Sequence, residues 1–321
     1  MPLPGPLGDS PMNLAVLSGL FQVASNLPQP NPVTVVLPEP KPRPIDSVTA
    51  YHPTIVSDAF LGTAPLVHTD VLQGMIGNCP VTAVLAAMAI TRPSVLKGMI
   101  VKITGQQPTY TPVFPAPPPV PSFNYYFKVT FPGSGPILAS PLVYRLPRPP
   151  QTMGPPEVMY AHSPGETPSW VSVLEKAYAF KKDTNPNPLL RGYSSLDGGG
   201  KGLDPLEVMN DIAGTGAQWV VDPSVVQPDE RGPHPWTAAH LAQVFARANQ
   251  VPTIAASRSE QEKIDPLPIY KHHDYAVKGM LPNGKVQLYN CHDLSSTNDH
   301  KNPALTMAEF QKAFLMVVLK P

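Results

Sequence analysis

Apolar residues fall on one face of a helix over residues 81–90, where Val81, Val84, Leu85 and Met88 follow the i, i+3, i+4, i+7 spacing. Pro80 stands in its first turn, where no backbone donor is needed, and so helps to start it. A second amphipathic helix is predicted over 170–180, begun by Thr167 or Ser169, and a third opens at Asp204-Pro205 and closes at Gly214. A fourth, over 237–250, would bury Leu241, Val244, Phe245 and Ala248. Residues 125–131 alternate as a strand does, and beyond Val251 the period turns to two. Strands are predicted over 253–256, 275–280 and 285–289, the last two joined by a Pro282-Asn283-Gly284 turn. Thr306 and Glu309 carry a capping-box signature ahead of a short helix, and 315–319 reads as a closing strand. Helices precede strands, an order that points to an α+β protein of two lobes with a cleft between them.

Proline changes this picture at the N-terminal end. The chain has 45 prolines in 321 residues, far above the usual ~5%. Each fixes φ and removes a donor, so proline-dense stretches are neither helix interiors nor central strands. Eleven lie between Pro2 and Pro44. The expected organisation is a proline-rich N-terminal arm over 1–45, a helical lobe over 46–225 and a strand-rich lobe over 226–321. The arm reads as flexible chain with a short docking helix in the apolar stretch 12–24, or else as a prosegment or partner-binding tail. A second cluster, 108–121, reads as an ordered or semi-rigid loop. Its P-x-x-P spacings would suit a partner's aromatic groove, although this composition produces them readily.

Charge is sparse at 14% and balanced, 23 basic residues against 23 acidic. Neither a nucleic-acid backbone nor a membrane surface finds a basic field here. The early apolar stretch 14–23 has no charged lead-in and is too short to span a bilayer. The expected location is therefore the cytoplasm, or delivery by a non-classical route. A hydrophobic fraction of 42% suffices for a core, and two cysteines, Cys79 and Cys291, do not make a disulfide framework.

Cys79 follows Gln73-Gly74-Met75-Ile76-Gly77-Asn78 and stands where the 81–90 helix begins. The positive end of a helix dipole and unpaired N–H groups favour a thiolate there. The two glycines allow tight turning and close approach to a substrate. Gln73, six positions earlier, would bring its side-chain amide beside the Cys79 backbone N–H, making two donors for a tetrahedral oxyanion. A thiolate nucleophile needs a base and the base an orienter. His273 enters the 275–280 strand and Asn290 ends its hairpin partner, so the pairing would let Asn290 hold the imidazole in one tautomer.

These residues carry a family likeness. The run Thr69 to Cys79 resembles the T-D-I/V-x-Q-G-x-x-G-D-C segment of calpains, a branch of the papain-like cysteine peptidases, with Asn78 in place of the aspartate. Trp170 to Ala179 is similar to the family's W-x-x-L-L-E-K-A-Y-A helix. Arg191 to Gly199 resembles the G-x-Y-x-x-L-x-G-G loop, with Arg191 for the first glycine. His273 to Gly279 resembles H-A-Y-S/A-V-x-G, with Asp274 for the alanine, and Asn290 falls at the family's asparagine. The segment from Thr306 to Phe314 resembles the closing helix. In order, the likeness runs from about Tyr51 to Pro321.

The resemblance implies a papain-like, two-lobed cysteine endopeptidase. Cys79 would attack the amide, His273 move the proton, Asn290 orient His273, and Gln73 serve the oxyanion. The partner is a protein or peptide substrate, and no cofactor is expected. Pro80 replaces the tryptophan usual after the nucleophile, and Cys291-His292-Asp293 replaces the usual Pro-Trp-Gly, whose tryptophan shields the His–Asn bond. His272 competes for the base role, but the motif register favours His273. A family calcium site would use Asp70 and an acid at position 194, where this chain has Ser194, so calcium-independent activity is expected. The set His272, His273, Cys291, His292, Asp293 and His300 lacks the paired short knots of a zinc site. Two other readings stay open: deamidation or acyl transfer on a protein glutamine with the same triad, and a non-enzymatic interaction module on a protease scaffold.

Overall fold

The computed structural model describes residues 35–37, 52–74, 76–104, 108–110, 123–146, 157–165, 167–183, 192–197, 202–224, 234–292 and 298–321. The expected N-terminal arm, apart from the strand Val35–Leu37, and most of the 108–121 cluster lie outside them. Val35–Leu37 pairs in parallel with Pro108–Tyr110, so the second proline cluster begins as a strand.

The chain is an α+β protein. Six antiparallel strands form its main sheet, in the order Ala304–Leu305, Val286–Asn290, Asp274–Met280, Thr253–Ser257, Phe314–Leu319, Gln218–Val221. The side-chain period of two divides this sheet cleanly between two cores. Ile254, Ala276, Tyr289 and Val318 face the helix Cys79–Thr91 and the larger cluster around it. Their neighbours Ala255, Tyr275, Val277, Leu288 and Val317 face the helices Ala238–Phe245 and Met307–Ala313, where Phe245, Phe310 and Phe314 pack together.

The predicted helix at 81–90 runs over Cys79–Thr91 and is buried on every side, not on one stripe. Its other faces carry Ala83, Ala86, Ala87 and Ala89, small enough for neighbouring elements to close on all of them. It packs against the sheet, the helix Pro205–Ala213 and the helix Trp170–Lys182. The latter is started by Ser169 in a capping box with Ser172, and Pro205–Ala213 runs from the Asp204 cap to Gly214 at φ 97°. The fourth helix is shorter than expected, Ala238–Phe245. Beyond it Arg247 and Ala248 bond three residues back in tight turns, and Ala248 remains buried.

The strand expected over 125–131 is present as Tyr125–Val129, but it is not alone: other strands also precede Val251, contrary to the expected order of helices before strands. His52–Ile55, Leu142–Leu146 and Glu157–Val158 form one small sheet, and Ile100–Thr104, Tyr125–Val129 and Ile137–Ala139 another. Apart from Tyr125–Val129, they are two to five residues long, and one contains proline, too short for a period of two to stand out. Gln218–Val221 precedes residue 225, the boundary expected between the lobes, yet pairs along Phe314–Leu319 in the main sheet. No helix among the described residues is long and apolar enough to cross a membrane.

Candidate active site

The segment leading to Cys79 is tied to the main sheet before the helix begins. Gln73 N–H donates to Cys291 C=O at 2.7 Å, Tyr289 hydroxyl donates to Val71 C=O at 3.1 Å, and Gln73 bridges to His292. The segment also holds Leu72 against His162 through two backbone bonds. The glycines serve this packing. A Cβ on Gly74 would stand 2.5 Å from Met159 O, and one on Gly77 2.6 Å from Asp197 Oδ1. Their expected role in approaching a substrate is thus a close approach to the chain itself. Gly77 N–H donates to the same Asp197 oxygen at 3.1 Å.

Asn78 precedes the helix but does not cap it with its side chain. Its Nδ2 is drawn aside to Oε1 of the fully buried Glu175, whose Oε2 accepts the Ala161 N–H at 2.9 Å. Burial pushes the Glu175 carboxyl up to about 7, against its two hydrogen bonds. The first-turn N–H groups of the Cys79 helix are therefore left without a side-chain cap beside the thiol.

Cys79, Gln73 and His273 line one cleft of about 820 Å³, together with Asp197, Tyr270, His272, Asp274, His292 and Met316. That volume suits a ligand the size of a short peptide segment. Asn290 lies behind His273, fully buried, and its Oδ1 stands 2.8 Å from His273 Nε2. The Asn290 amide is oriented by its other contacts: Nδ2 donates to His300 C=O at 3.1 Å and Oδ1 also accepts the His292 N–H at 2.8 Å. An oxygen that only accepts requires the proton on His273 Nε2, which leaves the Nδ1 lone pair as the ring's basic position. The expected hairpin pairing is present, Tyr275 opposite Asn290.

The structure does not join Cys79 to His273. Among the described residues, the thiol's hydrogen-bond partner is Asp274: Cys79 Sγ donates to Asp274 Oδ2 at 3.2 Å. The pleat explains it. Asp274 shares the helix-facing side of its strand with Ala276, whereas His273 precedes it by one position. Nor is the thiolate expectation met. Burial raises the Cys79 thiol far above its ordinary range, and the charge of Asp274 raises it further, outweighing the helix end. Burial also lifts the Asp274 carboxyl to about 7, with the thiol bond pulling the other way, and holds His273 down at about 4 despite the Asn290 bond. Both shifts run toward the neutral forms, thiol and imidazole, in this arrangement.

Gln73 Nε2 is engaged within its own loop, donating to Ile76 C=O at 2.7 Å. Cys291 is fully buried, as a packing thiol would be. His272 lines the cleft at φ 50°, with its N–H on Arg258 C=O. Asp70, the carboxylate of the expected family calcium site, instead accepts Trp170 Nε1–H at 3.0 Å, and Ser194 offers a neutral hydroxyl. That pair does not fit a calcium ion. No group of three His, Cys, Asp or Glu with metal-binding geometry occurs among the described residues. Asp293 lies outside them.

Sequence reasoning gave no role to Asp274 or Glu175. The first was visible as an acid at a strand position sharing a face with Ala276; the second stood inside an apolar helix pattern. Compared with known proteins, the chain matches no family model and no curated sequence.

Proposed function

We propose that this chain is a cysteine endopeptidase of papain-like, two-lobed architecture, related to the calpain core, and independent of calcium. The observation that carries the reading is the oriented His273–Asn290 pair opening onto the same cleft as a cysteine at a helix N-terminus. An imidazole with Nε2–H fixed on an amide oxygen has one basic nitrogen free to take a proton from a thiol. The ordered motif likeness from Tyr51 to Pro321 supports the same fold.

In this mechanism substrate occupies the cleft, and Cys79 turns from Asp274 toward His273. The S–H proton passes to His273 Nδ1, and sulfur attacks the carbonyl carbon. The oxyanion takes hydrogen bonds from the Cys79 backbone N–H and from Gln73 Nε2, which leaves Ile76 C=O to reach it. Collapse breaks the C–N bond, and the amine departs with the proton from His273. Water, deprotonated by His273, then hydrolyses the thioester.

Incubation with a denatured-protein or peptide library tests this. Cleavage by the wild-type chain, lost in Cys79→Ala, is expected with calcium or with chelator alike. Equal behaviour of the two proteins on many substrates overturns it. A gain of one dalton, or a crosslink without scission, assigns the triad to glutamine deamidation or acyl transfer instead. The bond from Cys79 to Asp274 favours one further reading, a scaffold whose thiol does no chemistry. Absence of Cys79 labelling by a thiol-directed epoxide under all conditions would select it.

A further inference from the structure

We propose that Asp274 is a positioning residue that keeps the site latent by holding Cys79 as a protonated thiol turned away from His273. The inference deepens the cysteine-protease reading and rests on Cys79 being the nucleophile.

Three observations carry it. Among the described residues the Cys79 thiol donates to Asp274 Oδ2, at 3.2 Å, while the Asp274 backbone N–H, which any residue at 274 keeps, bonds the sulfur and acts the other way. Asp274 is 6% exposed, and its other oxygen, Oδ1, is buried without a hydrogen-bond partner while the residue lines the cleft. Lastly, the pleat leaves no choice of partner: position 274 faces the Cys79 helix, so whatever stands there meets the thiol. An alanine would offer it nothing. An aspartate accepts its proton and, when charged, opposes a sulfur anion directly.

A carboxylate this buried, with one oxygen unpartnered, keeps its negative charge at a cost unless the thiol bond persists. The same bond consumes the proton that His273 must receive. Reaction therefore begins by breaking the Cys79–Asp274 contact.

Other charged and titratable groups lining the cleft with the pair include the cation Lys271, His272 and Tyr270. His273 and His292 stand in the cleft on the sheet side. Asp197 bonds to Gly77 N–H, and Asp204 precedes the Pro205–Ala213 helix; the latter raises the Asp274 carboxyl and leaves the direction of the effect unchanged. Cys291 is neutral and buried.

The test is the rate at which iodoacetamide alkylates Cys79 in the full chain, followed by peptide mass so that Cys291 is scored separately, from about pH 5 to 10. Wild type is expected to react slowly, with the rate climbing only at alkaline pH. Asp274→Ala should react roughly tenfold faster or more at neutral pH, its profile moved to lower pH by about a unit or more. Asp274→Asn keeps the shape without the charge and should lie between. A purely structural role for Asp274 would not move the profile toward acid. Slower or unchanged alkylation in both variants, with their melting temperatures near wild type, overturns the proposal; slower alkylation would make the carboxylate a proton acceptor for the thiol. If Asp274→Ala unfolds, Asp274→Asn alone decides by the same criterion. Faster alkylation without peptide cleavage keeps the latch and removes the protease reading. Cys79-dependent cleavage without faster alkylation does the reverse.

Discussion

Replacing Glu175 by glutamine should change how the stability of the fold depends on pH. The carboxyl is fully buried in the helix Trp170–Lys182 and accepts from Asn78 Nδ2 and Ala161 N–H. Burial moves it from 4.5 to about 7, which at ~1.4 kcal/mol per unit is worth ~3 kcal/mol. The sign follows from proton counting. Between those two values the folded chain holds a proton that the unfolded chain has released, so stability from this group falls as pH rises through the window. Asp274, raised to about 7, acts in the same direction. His273, lowered to about 4, acts oppositely, because the unfolded chain takes up a proton that the folded chain refuses. The wild-type curve sums all three, whereas its difference from Glu175→Gln isolates Glu175. Glutamine sets an NH₂ against one of the two donors, a loss of ~1–3 kcal/mol at every pH. Urea unfolding followed by tryptophan fluorescence should thus find the variant weaker near pH 5. By about pH 8.5 that deficit should have shrunk by ~3 kcal/mol, or reversed. A deficit that stays constant between the two conditions would refute the reasoning and return Glu175 to an ordinary carboxyl.

Three further outcomes are expected. Asn290→Ala frees the His273 ring and should lower peptide-cleavage kcat by about tenfold to a hundredfold, read by steady-state kinetics alongside a melting curve that shifts much less; an unchanged kcat would dismiss Asn290 as the orienter. Gly74→Ala drives a Cβ into the Met159–Tyr160 backbone at 2.5 Å, so the variant should lose ~2 kcal/mol or more of unfolding free energy, and near-wild-type stability would contradict the close approach. Thr306→Ala removes the reciprocal cap with Glu309 and should cost ~1 kcal/mol, checked by urea denaturation with no change in Cys79 alkylation.

Much of the frame was legible because local signals agreed with tertiary demands. Ser169, Asp204 and Thr306 cap the helices they were expected to begin or precede, and the Asn283-Gly284 turn joins its two strands with Gly284 at φ 77°. The His273–Asn290 contact followed from hairpin register alone. Of the short strands around residues 52–158, the alternation predicted only Tyr125–Val129; the others escaped because pairing, not pattern, makes them strands. All-round burial of Cys79–Thr91 escaped because alanine is silent in a hydrophobic period. In the site, the error was electrostatic. A helix N-terminus argues for a thiolate, whereas burial and the facing Asp274 push the thiol the other way, and both depend on packing against a sheet about two hundred residues downstream.

The strand Phe314–Leu319 lies inside the main sheet, between Thr253–Ser257 and Gln218–Val221, and supplies Leu315 and Met316 to the cleft wall. A nascent chain still short of residue 314 therefore carries two unsatisfied strand edges where one continuous surface should be, and lacks one side of its cleft. The helix bearing Cys79 is translated more than two hundred residues before that gap can close. Order of synthesis thus withholds the cleft until nearly all of the described chain has been made.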